Sequence, residues 1–237
     1  MNILIKNCSH HSSIFVVQDE NKFIYKSSSL SRGIQDLKNE ISGYKWYNSF
    51  LLKKIHIGIE IETENYLRLK MNYIDARVPD VSKGYHHNIN YIELAIRHYA
   101  DIWGSMPSDL SGYPLHGDYS IEGNILFSNK SVFVIDWEHF SEDVAPIGFD
   151  GLYLLFETFW LDKSGNKETL NHIAEMIKFL KKRKCLAAVF EDSPLASTIS
   201  FMRANRHIWG EQFLKMPIIS FSDVDVMEID EYLRAQN

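Results

Sequence analysis

The sequence predicts an α+β protein in which a small unit of antiparallel strands with one helix precedes a larger, mainly helical unit. Over the first ~75 residues, apolar and polar side chains alternate in short runs, as in β-strands. After Asp150 the apolar side chains instead recur every three or four residues, which is typical of helices. We place the boundary between the two units after residue 76, so that they span 1–76 and 77–237.

The composition favours an ordinary soluble globular protein, with 45% apolar and 24% charged residues in a chain of 237. A net charge of −6 argues against a general nucleic-acid-binding protein, which usually carries a basic face. Cys8 and Cys185 have neither metal-ligand nor redox spacing, which is typical of a reducing compartment. No apolar run is long enough for a signal peptide or a membrane span. We therefore expect a cytoplasmic protein with no nucleic-acid partner.

The N-terminal unit is predicted to have the element order β-β-β-α-β-β. In the fourth strand, isoleucines alternate with non-aliphatic residues, so we expect Ile57, Ile59 and Ile61 to lie on one buried face. The helix begins at Ser31 and carries apolar residues at helical spacing. The strands are expected at 3–6, 13–18, 23–26, 56–62 and 66–71.

The C-terminal unit is predicted to combine helices with one short pair of strands. The strands, at 125–127 and 132–135, flank a turn at 128–130. Helices are expected over 90–103 and 199–214. A further helix carries an apolar stripe formed by Leu170, Ile173, Ile177 and Leu180.

One segment carries the chemistry of a candidate active site. It reads Leu-His-Gly-Asp-Tyr-Ser-Ile-Glu-Gly-Asn-Ile-Leu-Phe and contains Asp118 and Asn124, and the next strand ends in Ile-Asp-Trp-Glu with Asp136. Two acids and an amide that converge supply the oxygen ligands that a hard divalent cation prefers. An acid beside such a site can accept the proton of an incoming hydroxyl.

This segment resembles the catalytic loop and metal-binding motif of the aminoglycoside phosphotransferase and choline kinase family, relatives of protein kinases. The family loop reads His-Gly-Asp, a short spacer and Asn-Ile-Leu, and is followed by an apolar strand that ends in Ile-Asp-Trp or Ile-Asp-Phe. The resemblance implies a two-lobed, protein-kinase-like fold. It implies that Asp118 is the catalytic base, and that Asn124 and Asp136 hold Mg²⁺ against the phosphates of ATP.

The same resemblance gives roles to residues upstream of the loop. Lys26 matches the family lysine that contacts the α- and β-phosphates, and Glu40 matches the acid that pairs with it. Asp36 lies one helical turn before Glu40 and is the alternative partner of the lysine. The run Asn72-Tyr73-Ile74 resembles the hinge whose backbone meets the adenine ring.

The chain departs from the family pattern at three places. Asn124 follows Asp118 by six residues where the family usually has five, and the loop from Cys8 to Ser12 contains no glycine. Trp137-Glu138 replaces the Phe-Gly of protein kinases, which favours the small-molecule branch. His116 is expected to orient the loop from beneath, whereas Asp150 has two equally weighted roles, bracing the loop or capping a helix.

The resemblance implies an enzyme that uses ATP and Mg²⁺ to transfer the γ-phosphate to a hydroxyl of a small molecule. The acceptor is a sugar or glycan, an aminoglycoside or an amino alcohol. The alternative is a kinase-like nucleotide-binding regulatory module with little or no catalysis. The pairs His10-His11 and His86-His87 are not expected to bind metal, because adjacent strand residues point to opposite faces. Nothing in the sequence indicates the oligomeric state.

Overall fold

The computed structural model of the chain describes residues 2–8, 13–18, 22–108, 110–129, 131–160 and 167–236. The described residues form a small antiparallel sheet with one helix, followed by a mainly helical part, which confirms the predicted α+β class. They divide into two compact units. One unit contains the chain up to Ala76 together with Asp136–Ser141, and the other contains Arg77–Ile135 and the chain from Glu142 onward. The sequence analysis placed Asp136–Ser141 in the C-terminal unit, but this segment packs with the N-terminal one.

The N-terminal unit is a five-stranded antiparallel sheet in the order β1-β2-β3-β5-β4, covered by one helix. The helix buries Leu37 against Leu67 and Leu69 of the sheet, which form the small core of this unit. The elements are β1 (Asn2–Cys8), β2 (Ser13–Gln18), β3 (Phe23–Ser28), α1 (Ser31–Asn48), β4 (Ile57–Thr63) and β5 (Tyr66–Asn72).

The prediction that β4 buries one row of isoleucines is wrong beyond Ile57. Ile57 packs partly against the core, but Ile59 is 51% and Ile61 40% exposed. The pairing of β4 with β5 shifts register between Ile59 and Ile61, and such an irregularity breaks the alternation of the two faces. In addition, β4 lies at the edge of the sheet and is covered by a neighbouring strand on one side only.

Among the described residues of the rest of the chain, two small strand pairs, β6 with β9 and β7 with β8, lie among helices. Short 3-10 helices occur at Val81–Lys83, Ala188–Phe190, Gly210–Lys215 and Pro217–Ser220. The other elements are α2 (Tyr85–Trp103), β6 (Tyr113–Leu115), β7 (Ile125–Phe127), β8 (Val132–Val134), β9 (Ser141–Ala145), α3 (Phe149–Trp160), α4 (Lys167–Lys182), α5 (Pro194–Ala204) and α6 (Asp223–Gln236).

Helix α3 is the centre of the C-terminal unit. Every residue from Phe149 to Phe159 is buried, because α2, α4 and α5 all pack against this helix. The predicted stripe on α4 is confirmed: Leu170, Ile173, Ile177 and Leu180 are buried. A helix buried on all sides is held rigidly, and side chains that project from it have fixed positions.

Two predicted helices have different bounds in the structure. α2 begins at Tyr85 rather than at residue 90, directly after Gly84 at φ 81°. The single helix predicted over 199–214 is wrong: α5 ends at Ala204, and a separate 3-10 helix begins at Gly210, where φ is 55°. The pair His10-His11, most of the loop from Cys8 to Ser12 and the turn before Lys22 lie outside the described residues. Among the described helices, none has the length and apolarity needed to cross a membrane.

Candidate active site

The first cluster of candidate site residues lies in the N-terminal unit, around Lys26. This lysine lies on β3, a strand flanked by β2 and β5, and only 7% of it is exposed. Its Nζ atom lies 2.8 Å from Oε1 and 3.0 Å from Oε2 of Glu40 on α1, and 2.6 Å from Oδ1 of Asp136. Asp36, the alternative partner, forms an ion pair with Arg32 at 2.9 Å. Glu40 is therefore the acid of α1 that contacts the lysine.

The charges of this cluster do not balance, since a single ammonium faces more than one carboxyl. Burial raises the pKa of Glu40 to about 7 against the opposing effect of Lys26, and Asp136 raises it further. The pKa of Glu138 is also raised, first by burial and then by Asp136. Burial lowers the pKa of Lys26, but Asp136 and Glu40 outweigh burial and raise it well above its usual range. The resulting excess of negative charge favours a bound cation.

Helix α1 also holds the segment that carries Asp136. The Tyr44 hydroxyl accepts a hydrogen bond from the backbone N–H of Asp136. Asp136 has φ 65°, in the left-handed region that aspartate tolerates better than most residues. A Cβ atom at Gly43 would lie 2.4 Å from Cβ of Trp137, so only glycine permits this approach. The sequence analysis missed Tyr44 and Gly43, which have no motif of their own.

The second cluster lies in the C-terminal unit, in the loop between β6 and β7. The carboxylate of Asp150, in the first turn of α3, accepts the backbone N–H groups of His116 and Gly117, both at 2.9 Å. Burial raises the pKa of Asp150 to about 7, although these two donors lower it. Of the two roles predicted for Asp150, the structure therefore supports bracing of the loop.

His116 supports the same loop from within the protein. The backbone N–H of Asp118 donates to Nδ1 of His116 at 3.2 Å, so Nδ1 carries no proton and the proton lies on Nε2. Nε2 then donates to the carbonyl oxygen of Ile135 at 2.9 Å. The neighbouring Gly117 has φ 86°, and its carbonyl oxygen accepts a bond from Trp209 Nε1 at 2.6 Å. The buried Trp209 is therefore a support of the loop.

The carboxylate of Asp118 is held at both oxygens. Asn124 Nδ2 donates to Oδ2 at 2.8 Å and to the Asp118 carbonyl oxygen at 2.9 Å. The hydroxyl of Tyr153 on α3 lies 3.2 Å from Oδ1. The extra spacer residue is accommodated at Gly123, where φ is 156° and open space surrounds the missing side chain. The longer spacer therefore still places Asn124 beside Asp118.

A cavity of about 380 Å³ opens at Asp118 within the C-terminal unit. Its wall combines acids, an amine, amides and hydroxyls with the apolar side chains of Met216 and Pro217. Its lining residues are Asp118, Ser120, Glu122, Asn124, Tyr153, Glu157, Gln212, Lys215, Met216 and Pro217.

The fold matches those of known phosphotransferases. An amicoumacin kinase, hAmiN, in complex with AMP-PNP, Ca²⁺ and Ami aligns with a TM-score of 0.56 and 11% identity over 98% of this chain and 87% of that chain. APH(2″)-IIa in a ternary complex with streptomycin and ATP aligns with a TM-score of 0.53 and 15% identity, over 98% and 92%. The chain has a kinase-like fold.

A third match with this kinase-like fold is a predicted aminoglycoside phosphotransferase from Ralstonia eutropha, with a TM-score of 0.54 and 13% identity over 99% of this chain and 92% of that chain. No protein-family model and no curated protein matches the sequence. The resemblance to the aminoglycoside phosphotransferases is thus confirmed at the level of the fold.

The predicted hinge of the kinase-like fold begins at Asn72, the last residue of β5. The backbone N–H of Asn72 donates to the carbonyl oxygen of His56 at 3.1 Å. The backbone N–H of Tyr73 donates to the carbonyl oxygen of Lys22 at 3.0 Å. The Lys22 ammonium lies 5.0 Å from the centroid of the Tyr73 ring, and Ile74 is half-buried. These bonds fix the run within its own unit, while its contact with adenine stays a prediction.

The two predicted metal ligands of the kinase-like fold, Asn124 and Asp136, belong to different compact units. Each presents the oxygen donor that Mg²⁺ prefers, an amide in one case and a carboxylate in the other. Within the described part of the chain, no three His, Cys, Asp or Glu side chains converge as a metal site. The donor set nevertheless fits magnesium, because nucleotide phosphates and water supply most of its ligands in such enzymes.

Proposed function

We propose that the protein transfers the γ-phosphoryl group of ATP to a hydroxyl of a small molecule. The observation that carries this proposal is the arrangement of Asp118, an acid held at both oxygens on a braced loop and lining a cavity. A carboxylate fixed in this way can orient a hydroxyl and accept its proton. The kinase-like fold supports the same reaction class.

In this proposal Lys26 binds the α- and β-phosphates, and Glu40 fixes its position. The short contacts of Lys26 with Glu40 and Asp136 support the assignment, because they hold the ammonium of a flexible side chain at one place. The run Asn72-Tyr73-Ile74 contacts the adenine ring.

Asn124 and Asp136 would hold Mg²⁺, which supplies charge that offsets the phosphate oxygens. The excess of carboxyl groups around Asp136 supports a cation at this residue. Asn124 donates its amide nitrogen to Asp118, and its amide oxygen is the atom that a hard cation takes.

Asp118 orients the acceptor hydroxyl and accepts its proton late in the transfer. Because phosphoryl transfer has a loose transition state, positioning and electrostatics supply nearly all of the acceleration. The cavity of about 380 Å³ suits a sugar or glycan end, an aminoglycoside or an amino alcohol.

The test measures ADP release from ATP and Mg²⁺ with glucose, kanamycin and choline as acceptors, together with thermal stabilisation by the nucleotide. We expect turnover with at least one hydroxyl-bearing acceptor, and stabilisation by ATP that increases with Mg²⁺. In Asp118→Ala, turnover should fall at least ~100-fold while stabilisation by ATP persists. If that variant kept wild-type turnover, the proposed mechanism would be wrong. Stabilisation without turnover would favour the regulatory module.

A further inference from the structure

Helix α3 presents three polar side chains toward the catalytic loop. Asp150, Tyr153 and Glu157 are spaced by three and four residues and therefore share one face of the helix. Asp150 braces the loop, and the Tyr153 hydroxyl lies 3.2 Å from Oδ1 of Asp118. Glu157 lies one turn further along the same face and lines the same cavity as Asp118. Tyr153 is 1% and Glu157 7% exposed, so solvent competes little for these bonds.

Counting protons fixes the direction of these hydrogen bonds. The Tyr153 hydroxyl has one hydrogen, which it donates to Asp118. Two ionised carboxylates cannot both accept that one hydrogen. A hydrogen bond between Glu157 and the phenolic oxygen must therefore be donated by the Glu157 carboxyl group, and this requires a proton on Glu157.

The surroundings of Glu157 favour the neutral acid. Within the part of the chain that the structure describes, its Oε2 atom is buried and has no hydrogen-bond partner, which would cost an ionised carboxylate several kcal/mol. Burial raises the pKa of Glu157 to about 8, and the charges of Asp118 and Glu122 raise it further. Tyr153 and the backbone N–H of Ile218 act in the opposite direction. Lys215 is the cation on the wall of the shared cavity.

We propose that a protonated Glu157 and Tyr153 form a chain of hydrogen-bond donors that positions the catalytic carboxylate of Asp118. Glu157 donates to the Tyr153 oxygen, and Tyr153 donates to Oδ1 of Asp118. Both are positioning residues, and the inference rests on the proposed role of Asp118. It also means that Glu157 is not a negative counter-ion for a cationic acceptor, even though it lines the cavity.

The proton on Glu157 is measured directly by NMR of protein labelled with ¹³C at the glutamate carboxyl carbon. The Glu157 signal is assigned by its loss in Glu157→Gln. We expect it to report a neutral acid at pH 7 and to titrate near pH 8, and at lower pH in Asp118→Asn, where a negative charge is removed. The control Glu175→Gln, on the exposed face of α4, should leave the signal unchanged. An ionised Glu157 at pH 7 would overturn the proposal.

Kinetic measurements distinguish the proposed donor chain from a role of Tyr153 and Glu157 in substrate binding. In Tyr153→Phe we expect kcat to fall about tenfold with the KM for ATP unchanged, because Asp118 loses one hydrogen bond. Glu157→Ala should have a similar effect. Glu157→Gln should recover most of that loss, since its amide still donates to Tyr153. An unchanged kcat in Tyr153→Phe, or a kanamycin KM raised tenfold in Glu157→Gln, would contradict the inference. A wild-type protein without turnover would contradict the proposed function, whereas NMR would still decide the state of Glu157.

Discussion

Individual side chains set the charge at both clusters. Lys26 is the cation that contacts Glu40 and Asp136, and Asp150 is the acid that joins α3 to the loop between β6 and β7. In each case a buried group depends on one or two hydrogen-bond partners, so a substitution that keeps the size but changes the chemistry isolates the interaction.

Replacing Lys26 by Met should remove the proposed phosphate contact while keeping a side chain of similar length. We expect the KM for ATP to rise at least ~10-fold and thermal stabilisation by ATP to be lost, because a charge-assisted phosphate contact is typically worth ~1.5–3 kcal/mol. Lys38→Met is the matched control, since Lys38 is an exposed lysine of α1. Equal ATP stabilisation in both variants would show that Lys26 does not bind the nucleotide.

Replacing Asp150 by Asn should weaken the brace of the loop. The amide has one acceptor oxygen, whereas the carboxylate accepts N–H groups at both of its oxygens. We expect the free energy of unfolding, measured by urea denaturation, to fall by about 1–3 kcal/mol. In the control Asp101→Asn, an exposed residue of α2, it should change by less than ~0.5 kcal/mol. An Asp150→Asn protein that is as stable as the wild type would exclude the bracing role.

Helix α1 carries Glu40, the partner of Lys26, and it also packs against the segment that contains Asp136. Trp137 packs against Trp46 and Tyr47, with ring centroids 5.6 and 5.2 Å apart. The approach depends on Gly43, which leaves room for the backbone-proximal atoms of Trp137. Helix α1 therefore fixes both the ammonium and the carboxylate of the first cluster.

Gly43→Ala tests this packing. Alanine is favoured over glycine by up to ~1 kcal/mol in a helix, but its Cβ would overlap Trp137, and overpacking costs about 1–3 kcal/mol. We expect a net loss of stability in urea denaturation, with weaker stabilisation by ATP and Mg²⁺. Gly58→Ala, where the structure leaves open space around the missing Cβ, is the control and should be near neutral. A more stable Gly43→Ala protein would disprove the close approach.

The sequence predicted a helix or strand correctly where a single local pattern dominated. The β2 bounds and the stripe on α4 agree with the structure, because short-range alternation or helical spacing coincides with burial there. The sequence-based prediction failed where contacts between distant residues decide the structure, as at the register shift in β4. It also missed α6, which buries only Ile229, Asp230 and Leu233 and has a strongly polar surface.

The candidate site shows the same division. Lys26, Glu40, Asp118, Asn124 and Asp136 were found from motif spacing. Tyr44, Tyr153 and Glu157 were missed because they contact these residues only in the folded chain. One signal was available: Glu157 interrupts an apolar run, and a charged residue within a buried helix needs a partner.

At the scale of the whole molecule, raised carboxyl pKa values predict how stability depends on pH. Glu40 and Asp150 have pKa values of about 7 and Glu157 of about 8, above the ~4 of unfolded carboxyls. The folded protein thus binds more protons than the unfolded chain, and stability falls as pH rises through the folded pKa values. Burial lowers the pKa of His98 to about 4, which has the opposite effect below pH ~6.5, so the test window starts there.

We therefore expect the free energy of unfolding to decrease between pH 6.5 and 8.5, with a slope of up to ~1.4 kcal/mol per pH unit for each group. Urea denaturation of the wild type and Glu157→Gln over this range measures the effect. The variant should show a shallower slope, since glutamine cannot titrate. Parallel slopes in the two proteins would mean that Glu157 has the same pKa in the folded and unfolded states.

The assignment of Asp136–Ser141 to the N-terminal unit has a consequence for dissecting the protein. The polypeptide passes from one compact unit to the other three times, after Ala76, after Ile135 and after Ser141. No single cut can release an intact unit. A fragment that ends at Ala76 would lack Trp137, and we expect it to be largely unfolded by circular dichroism. Fusing 136–141 to its end through a flexible linker should restore part of its helix and strand content.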